Sequence, residues 1–149
     1  MQIVRPATEA DIPEMIRMGR LFWSQTPYRD VPYCPDSVAF TARQMMGLGM
    51  LLFAEVDGKP AGSVGAMACP LYANRDVLVA SELWFWVEPE FRNCGIGKVM
   101  FTEIERVAKS AGVGWFSMMA FEDIEIDKAA AIYRKAGYSP TERTFGKAL

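Results

Sequence analysis

The sequence predicts an α/β fold, a mixed and mostly antiparallel central sheet flanked by helices, and three observations predict it. Apolar residues recur with a period of two over some segments and of 3.6 over others, and the two kinds of segment are interleaved. Asp57-Gly58 stands between two apolar runs and marks a hairpin, since these residues tolerate the positive φ angles of a tight turn. A long β-branched and aromatic run ends at Pro89, and helical periodicity sets in after Gly95. At 149 residues the chain is expected to be one domain, residues 1–149.

The elements follow in order. Ile3-Val4 begins a first strand, and Thr8-Glu9-Ala10-Asp11 is a capping signal for a helix whose stripe is Ile12, Met15, Ile16, Gly19, Phe22 and Trp23. Three prolines between Thr26 and Pro35 end it. Asp36-Ser37 caps a second helix that stops near Gly47 and Gly49. Residues 51–56 and 61–68 form the hairpin, and residues 77–87 form a central strand. The stripe Ile96, Val99, Met100, Ile104, Val107, Ala108 and Ala111 defines a third helix, closed by Gly112. Residues 115–121 form a strand. Asp127 caps a helix with the stripe Ala129, Ile132, Tyr133 and Ala136, and residues 138–145 supply a last strand. The expected order is β-α-α-β-β-β-α-β-α-β.

Composition narrows the function. A net charge of −2 with half the residues hydrophobic fits a folded globular protein and speaks against a nucleic-acid partner, which calls for a basic face. The acid-rich stretches 30–36 and 121–125 are either solvated loops or a means of steering a cationic acceptor. No apolar run nears the roughly 20 residues of a bilayer span and no signal sequence is seen, so no membrane partner and a cytoplasmic location are expected. Cys34, Cys69 and Cys94 are far apart and the chain has no histidine, so reduced thiols and no metal site are expected. Without imidazole, acid–base work falls to carboxylates, tyrosines, lysines or water.

The segment from Trp84 to Met100 carries the chemistry. A strand turns through Pro89-Glu90-Phe91-Arg92-Asn93-Cys94 and feeds Gly95-Ile96-Gly97 into a helix. Unpaired N–H groups at a helix start, with glycines that let a ligand approach, suit an anion. Lys98 either adds a point charge or is solvated. The spacing fits neither a Walker A loop nor a Rossmann fingerprint, where Met100 occupies the third small position. Read by itself, Gly-x-Gly at this turn is open between an anion site and a plain tight connection.

As a whole, Val87-Glu88-Pro89-Glu90-Phe91-Arg92-Asn93-Cys94-Gly95-Ile96-Gly97 resembles the cofactor signature of the GNAT superfamily of N-acetyltransferases. Residues 126–138, with Ala129, Tyr133, Lys135, Gly137 and Tyr138, resemble the family's second motif, with Ile126 in place of its asparagine. Ser117 and Asp127 are the candidates to replace that asparagine. The resemblance spans nearly the whole chain and implies a GNAT-like fold, acetyl-CoA as co-substrate, an amine acceptor and a homodimer. It implies that the backbone of Arg92, Asn93, Cys94, Gly95, Ile96 and Gly97 holds the pyrophosphate. Phe85, Trp86 and Val87 would pair with the pantetheine arm where the fourth and fifth strands splay.

An amine acceptor must lose a proton before it attacks a thioester. Glu82, midway along the strand that leads to the turn, is the candidate base; the other reading is a strand residue or an ion-pair partner. Strict alternation puts Glu82 on one face with Trp84 and Trp86, and a bulge would reverse that. Tyr133 matches the family tyrosine that protonates the departing thiolate, and it also fits a core aromatic. Cys94 contributes only backbone, so transfer is expected to be direct. The loop that holds Gln25, Tyr28, Arg29, Asp30 and Tyr33 is either an acceptor wall or a dimer contact. Two alternatives stand beside the enzyme: an acyl-CoA-binding module without turnover, and an interaction domain that uses exposed aromatics among Trp84, Trp86 and Trp115.

Overall fold

The computed structural model describes residues 1–122 and 126–148. Met1–Met119 form one compact unit and Ala120–Leu149 a second. The first begins with β1 (Gln2–Pro6), a single 3-10 turn at Glu9–Asp11, α1 (Ile12–Trp23) and α2 (Pro35–Gly47). Then come β2 (Leu51–Val56), β3 (Lys59–Leu71), β4 (Asn74–Val87), a second 3-10 turn at Pro89–Phe91, α3 (Ile96–Ser110) and β5 (Val113–Ser117). The second unit contains α4 (Ile126–Lys135). No helix among the described residues is long and apolar enough to cross a membrane.

The five strands form one sheet in the order β1-β2-β3-β4-β5. The first four are antiparallel neighbours, and β5 pairs parallel to β4 after the α3 crossover. The mixed, mostly antiparallel sheet flanked by helices is therefore as expected. Its hairpin turn is too: Asp57 and Gly58 have φ of 52° and 76°.

One apolar cluster fills each face. Leu52, Ala54, Val64 and Ala66 pack with Ile96, Met100 and Ile104 of α3. Met15 and Met18 of α1 and Ala42 and Met45 of α2 pack with Leu51, Phe53 and Trp86 on the other face. A capping box starts the helical region, with Thr8 donating its backbone N–H (2.8 Å) and hydroxyl (2.9 Å) to Asp11 Oδ2. Arg5 then clamps the Asp11 carboxylate at 2.7 and 2.8 Å and reaches Glu55 at 2.6 Å. These donors hold the Asp11 carboxyl down at about 2, the Arg5 hydrogen bonds first among them.

Several boundaries differ from expectation. The α2 helix begins at Pro35 with Cys34 as its N-cap, because a proline at the first helical position gives up no intrahelical bond. Asp36 thus lies in the first turn. Val99 of α3 is 45% exposed, and Phe101 is buried instead. The β5 strand is shorter than residues 115–121 and starts at Val113. Residues 138–145 form no strand: their alternation is interrupted by Pro140 and Gly146 follows, so no ladder forms. The α4 helix begins at Ile126, and none of its residues is fully buried. Asp123, Ile124 and Glu125 of the acid-rich run lie outside the described residues.

Candidate functional site

The site is built around β4. Its ladder with β5 runs from Leu78↔Val113 to Ser81↔Ser117 and goes no further, while its ladder with β3 continues to Gly62↔Val87. Among the described residues, the strand therefore pairs on one side only from Glu82 to Val87, which leaves on the other the edge that Phe85, Trp86 and Val87 were expected to offer. The β3 ladder steps from Gly65↔Trp84 to Ala66↔Glu82, so Leu83 is an extra residue. This bulge reverses the parity. Glu82 lies opposite Ala66, whose side chain belongs to the α3-side cluster, whereas Trp84 and Trp86 pack toward α1 and α2.

Glu82 is 4% exposed. Its Oε2 accepts the backbone N–H of Met119 at 3.2 Å, just beyond the last β5 pair. Burial pushes its carboxyl up to about 7, and that single hydrogen bond only partly opposes the shift. A carboxyl titrating near neutrality at the point where two strands part is suited to exchange a proton with a bound group.

The turn between β4 and α3 is held from several sides. Arg92 donates its Nε–H to Val87 O at 3.1 Å and lays its guanidinium over the Trp86 ring, 5.0 Å from the centroid. The Gln2 amide donates to Cys94 O at 2.6 Å. Cys94 directs its thiol to Phe91 O at 3.1 Å, which leaves it a structural part of the turn. Arg92 and Cys94 donate their N–H groups to Pro89 O and Phe91 O. Among the described residues, those of Asn93, Gly95, Ile96 and Gly97 take no backbone acceptor. Gly95 has φ of 91°, and nothing lies within 4 Å of where a Cβ would stand. A Cβ on Gly97 would stand 3.5 Å from the Val87 side chain. Four free donors at the start of a 15-residue helix fit a pyrophosphate such as that of acetyl-CoA. Lys98, on the first turn of α3, is exposed, and Ile96 is buried so that only its backbone serves.

Tyr133 lies on α4, half-buried, with its ring 6.2 Å from that of Tyr138. The interaction-domain reading loses two of its three aromatics, because Trp86 is buried and Trp84 is half-buried with its Nε1–H donated to Ser63 Oγ at 3.0 Å. Trp115 alone is broadly exposed, at 56%.

Two features escaped the sequence. Arg17 of α1 joins Glu14 and the buried Glu88, which ties α1 to the last residue before the turn. No local pattern marks a pair 71 positions apart. The other is a cavity of about 250 Å³ between α1, α2 and the β3–β4 face, with Trp84 and Trp86 in its wall. Helical spacing named Met15, Phe22 and Trp23 as core residues. That they stop short of filling the space is a property of three elements together.

Known proteins share this fold. Solved structures of the same fold include an acetyltransferase of Trypanosoma brucei, with 20% identity, full coverage of both chains and a TM-score of 0.75. A transcriptional regulator of Bacillus halodurans has 17% identity, full coverage of both and a TM-score of 0.78. A predicted acetyltransferase of Clostridium acetobutylicum, solved with acetyl-CoA, has 17% identity, covers 100% of this chain and 97% of its own, and has a TM-score of 0.76. No curated protein sequence matches significantly. The model of the acetyltransferase (GNAT) domain matches residues 48–140, which takes in β2 to β5, the turn before α3, and α4. By that match over more than half its length, the chain belongs to the GNAT acetyltransferase family.

Proposed function

We propose that this protein transfers the acetyl group of acetyl-CoA to a primary amine of a small molecule or peptide by direct attack. The observation that carries the reading is the place of Glu82, a buried carboxyl where β4 leaves β5, on the strand that runs into the N–H-rich turn. Bound acetyl-CoA supplies an activated acyl group as a thioester, with a thiolate as the leaving group. The donors of Asn93, Gly95, Ile96 and Gly97 hold its pyrophosphate, and the one-sided edge at Phe85, Trp86 and Val87 pairs with the amides of its arm. Arg92 and Cys94 brace that turn, and Lys98 adds positive charge beside it.

Glu82 removes the proton of the acceptor amine, directly or through a water. With its carboxyl near 7, a useful fraction is ionised at neutral pH, and the proton received is held more firmly than by an ordinary carboxylate. Tyr133 returns a proton to the departing thiolate, a role supported by its place in the second motif. The Cys94 thiol is engaged by Phe91 O, which favours transfer without an acyl-enzyme.

The test starts from melting temperatures with acetyl-CoA, coenzyme A and NADH, since a ligand that binds the native state raises the midpoint. A rise with the first two alone is expected, followed by release of free thiol when amines are supplied. In Glu82→Gln the turnover number should fall by about 10²–10⁴-fold with the acetyl-CoA shift retained. The acidic limb of the wild-type rate profile, centred near pH 7, should vanish with it. A melting shift without thiol release for any amine would make the chain a binding module; no shift at all would sink the cofactor assignment.

A further inference from the structure

The cavity of about 250 Å³ beside β4 has walls of one chemical kind. Met15, Met18, Phe22 and Trp23 of α1 face Leu83, Trp84 and Trp86 of β4 across it. Tyr33 closes one end. Its hydroxyl is fixed on Ile16 O at 2.7 Å, and it fits because residue 19 is glycine: a Cβ there would stand 2.7 Å from that oxygen. The α2 helix contributes Ser37, Val38 and Thr41, and β3 contributes Ser63, whose Oγ already accepts the Trp84 indole N–H.

Among the described residues, no Asp, Glu, Lys or Arg lines the cavity. Two cations stack on its aromatic walls: Arg20 lies over Tyr33 at 4.6 Å and Arg92 over Trp86 at 5.0 Å. A ligand with a second positive charge would lose water there, gain no carboxylate and meet two like charges. An apolar ring loses nothing by leaving water and gains aromatic contact. A cavity of about 150 Å³ takes benzene, so this one has room for a substituted ring and a short arm. Leu83, the extra residue of the bulge, is in the wall and follows Glu82 in the chain, so the cavity borders the stretch of β4 that lies beyond its last pair with β5, although Glu82 itself faces the α3 side of the sheet.

We propose that this cavity selects the acceptor, and that the acceptor is a monoamine on an aromatic or branched apolar body, not a polyamine or another polycation. The inference rests on the transferase reading, and the experiment separates the two. Phenylethylamine and spermidine are titrated into the protein while tryptophan fluorescence is followed, since three of the four tryptophans line the cavity. Both are then offered with acetyl-CoA, and kcat/KM is measured.

Phenylethylamine should change the emission and spermidine should not, and kcat/KM should favour phenylethylamine at least tenfold. Val38→Trp, which fills the cavity, should abolish the emission change and raise KM for phenylethylamine at least tenfold, with the melting shift by acetyl-CoA unaltered. Thr41→Asp, at a half-buried position that tolerates a carboxylate, is the second variant should the first fail to fold, and it should shift the preference toward spermidine. Phenylethylamine binding that is lost in either variant upholds the cavity assignment even where acetyl-CoA produces no shift, a result that would fell only the transferase reading. Spermidine binding as well as or better than phenylethylamine, or phenylethylamine binding undisturbed in both folded variants, overturns it.

Discussion

Glu82 has exchanged nearly all of its water for one backbone hydrogen bond, and this has a consequence for stability as well as for chemistry. Its carboxyl rises from 4.5 to about 7 on folding, with burial as the first cause. Below pH 4.5 the group is neutral in both states and burial carries no charge penalty. Between 4.5 and 7 the unfolded chain gives up its proton while the folded one keeps it, so native stability is lost as pH rises through this window; above 7 the loss is complete. Glu82→Gln keeps an acceptor for Met119 but has no charge to bury. Its stability relative to wild type should therefore grow by on the order of 3 kcal/mol between pH 4.5 and pH 8. Urea unfolding at the two pH values measures this. A gap that stays constant would mean that the carboxyl is better solvated than its burial indicates. The residue was legible in the sequence as a carboxylate on the central strand. Its face was not, because alternation cannot see the bulge at Leu83, whose cause is the pairing of β3 with β4.

Among elements, β3 shows what a neighbouring strand and helix impose. Two of its glycines face opposite sides and are constrained to different degrees. A Cβ on Gly62 would stand 2.4 Å from the backbone oxygen of Trp86, which cannot move without shifting β4 just ahead of the turn. A Cβ on Gly65 would meet the Met45 thioether at 2.6 Å, the far end of a flexible side chain. Gly62→Ala should cost about 2 kcal/mol or more, and Gly65→Ala clearly less, since overpacking is expensive where the obstacle is rigid. Thermal melts of the two variants rank them, and equal losses would show that β4 yields as easily as Met45. The hairpin, the α3 helix and the glycine turn that starts it were legible because Asp57-Gly58 and Gly95-Ile96-Gly97 act over a few residues. The expected last strand at 138–145 was misread, because a strand exists only with a partner edge, which alternation alone does not supply.

In the whole molecule, burial is unevenly divided, and this bears on Tyr133. Both apolar clusters belong to residues 1–119, whereas α4 buries no residue and leaves Ile132 52% exposed. Helices of ten residues are marginal in water unless packing supports them. Amide exchange should therefore be slowest in β2, β3, β4 and α3 and faster in α4, by the free-energy gap between global and local opening. The role proposed for Tyr133 adds a second requirement. A tyrosine that protonates a bound thiolate must be held at the thioester for that step, so binding of acetyl-CoA has to stabilise the helix that carries it. Exchange of the 126–135 amides should slow by tenfold or more at saturating acetyl-CoA, while dephospho-coenzyme A and coenzyme A, which share the thiol arm, should slow it comparably. Protection that rises around residues 93–99 but not in α4 would leave the anion site intact and remove Tyr133 from the chemistry. The thiolate would then draw its proton from solvent or from Glu82.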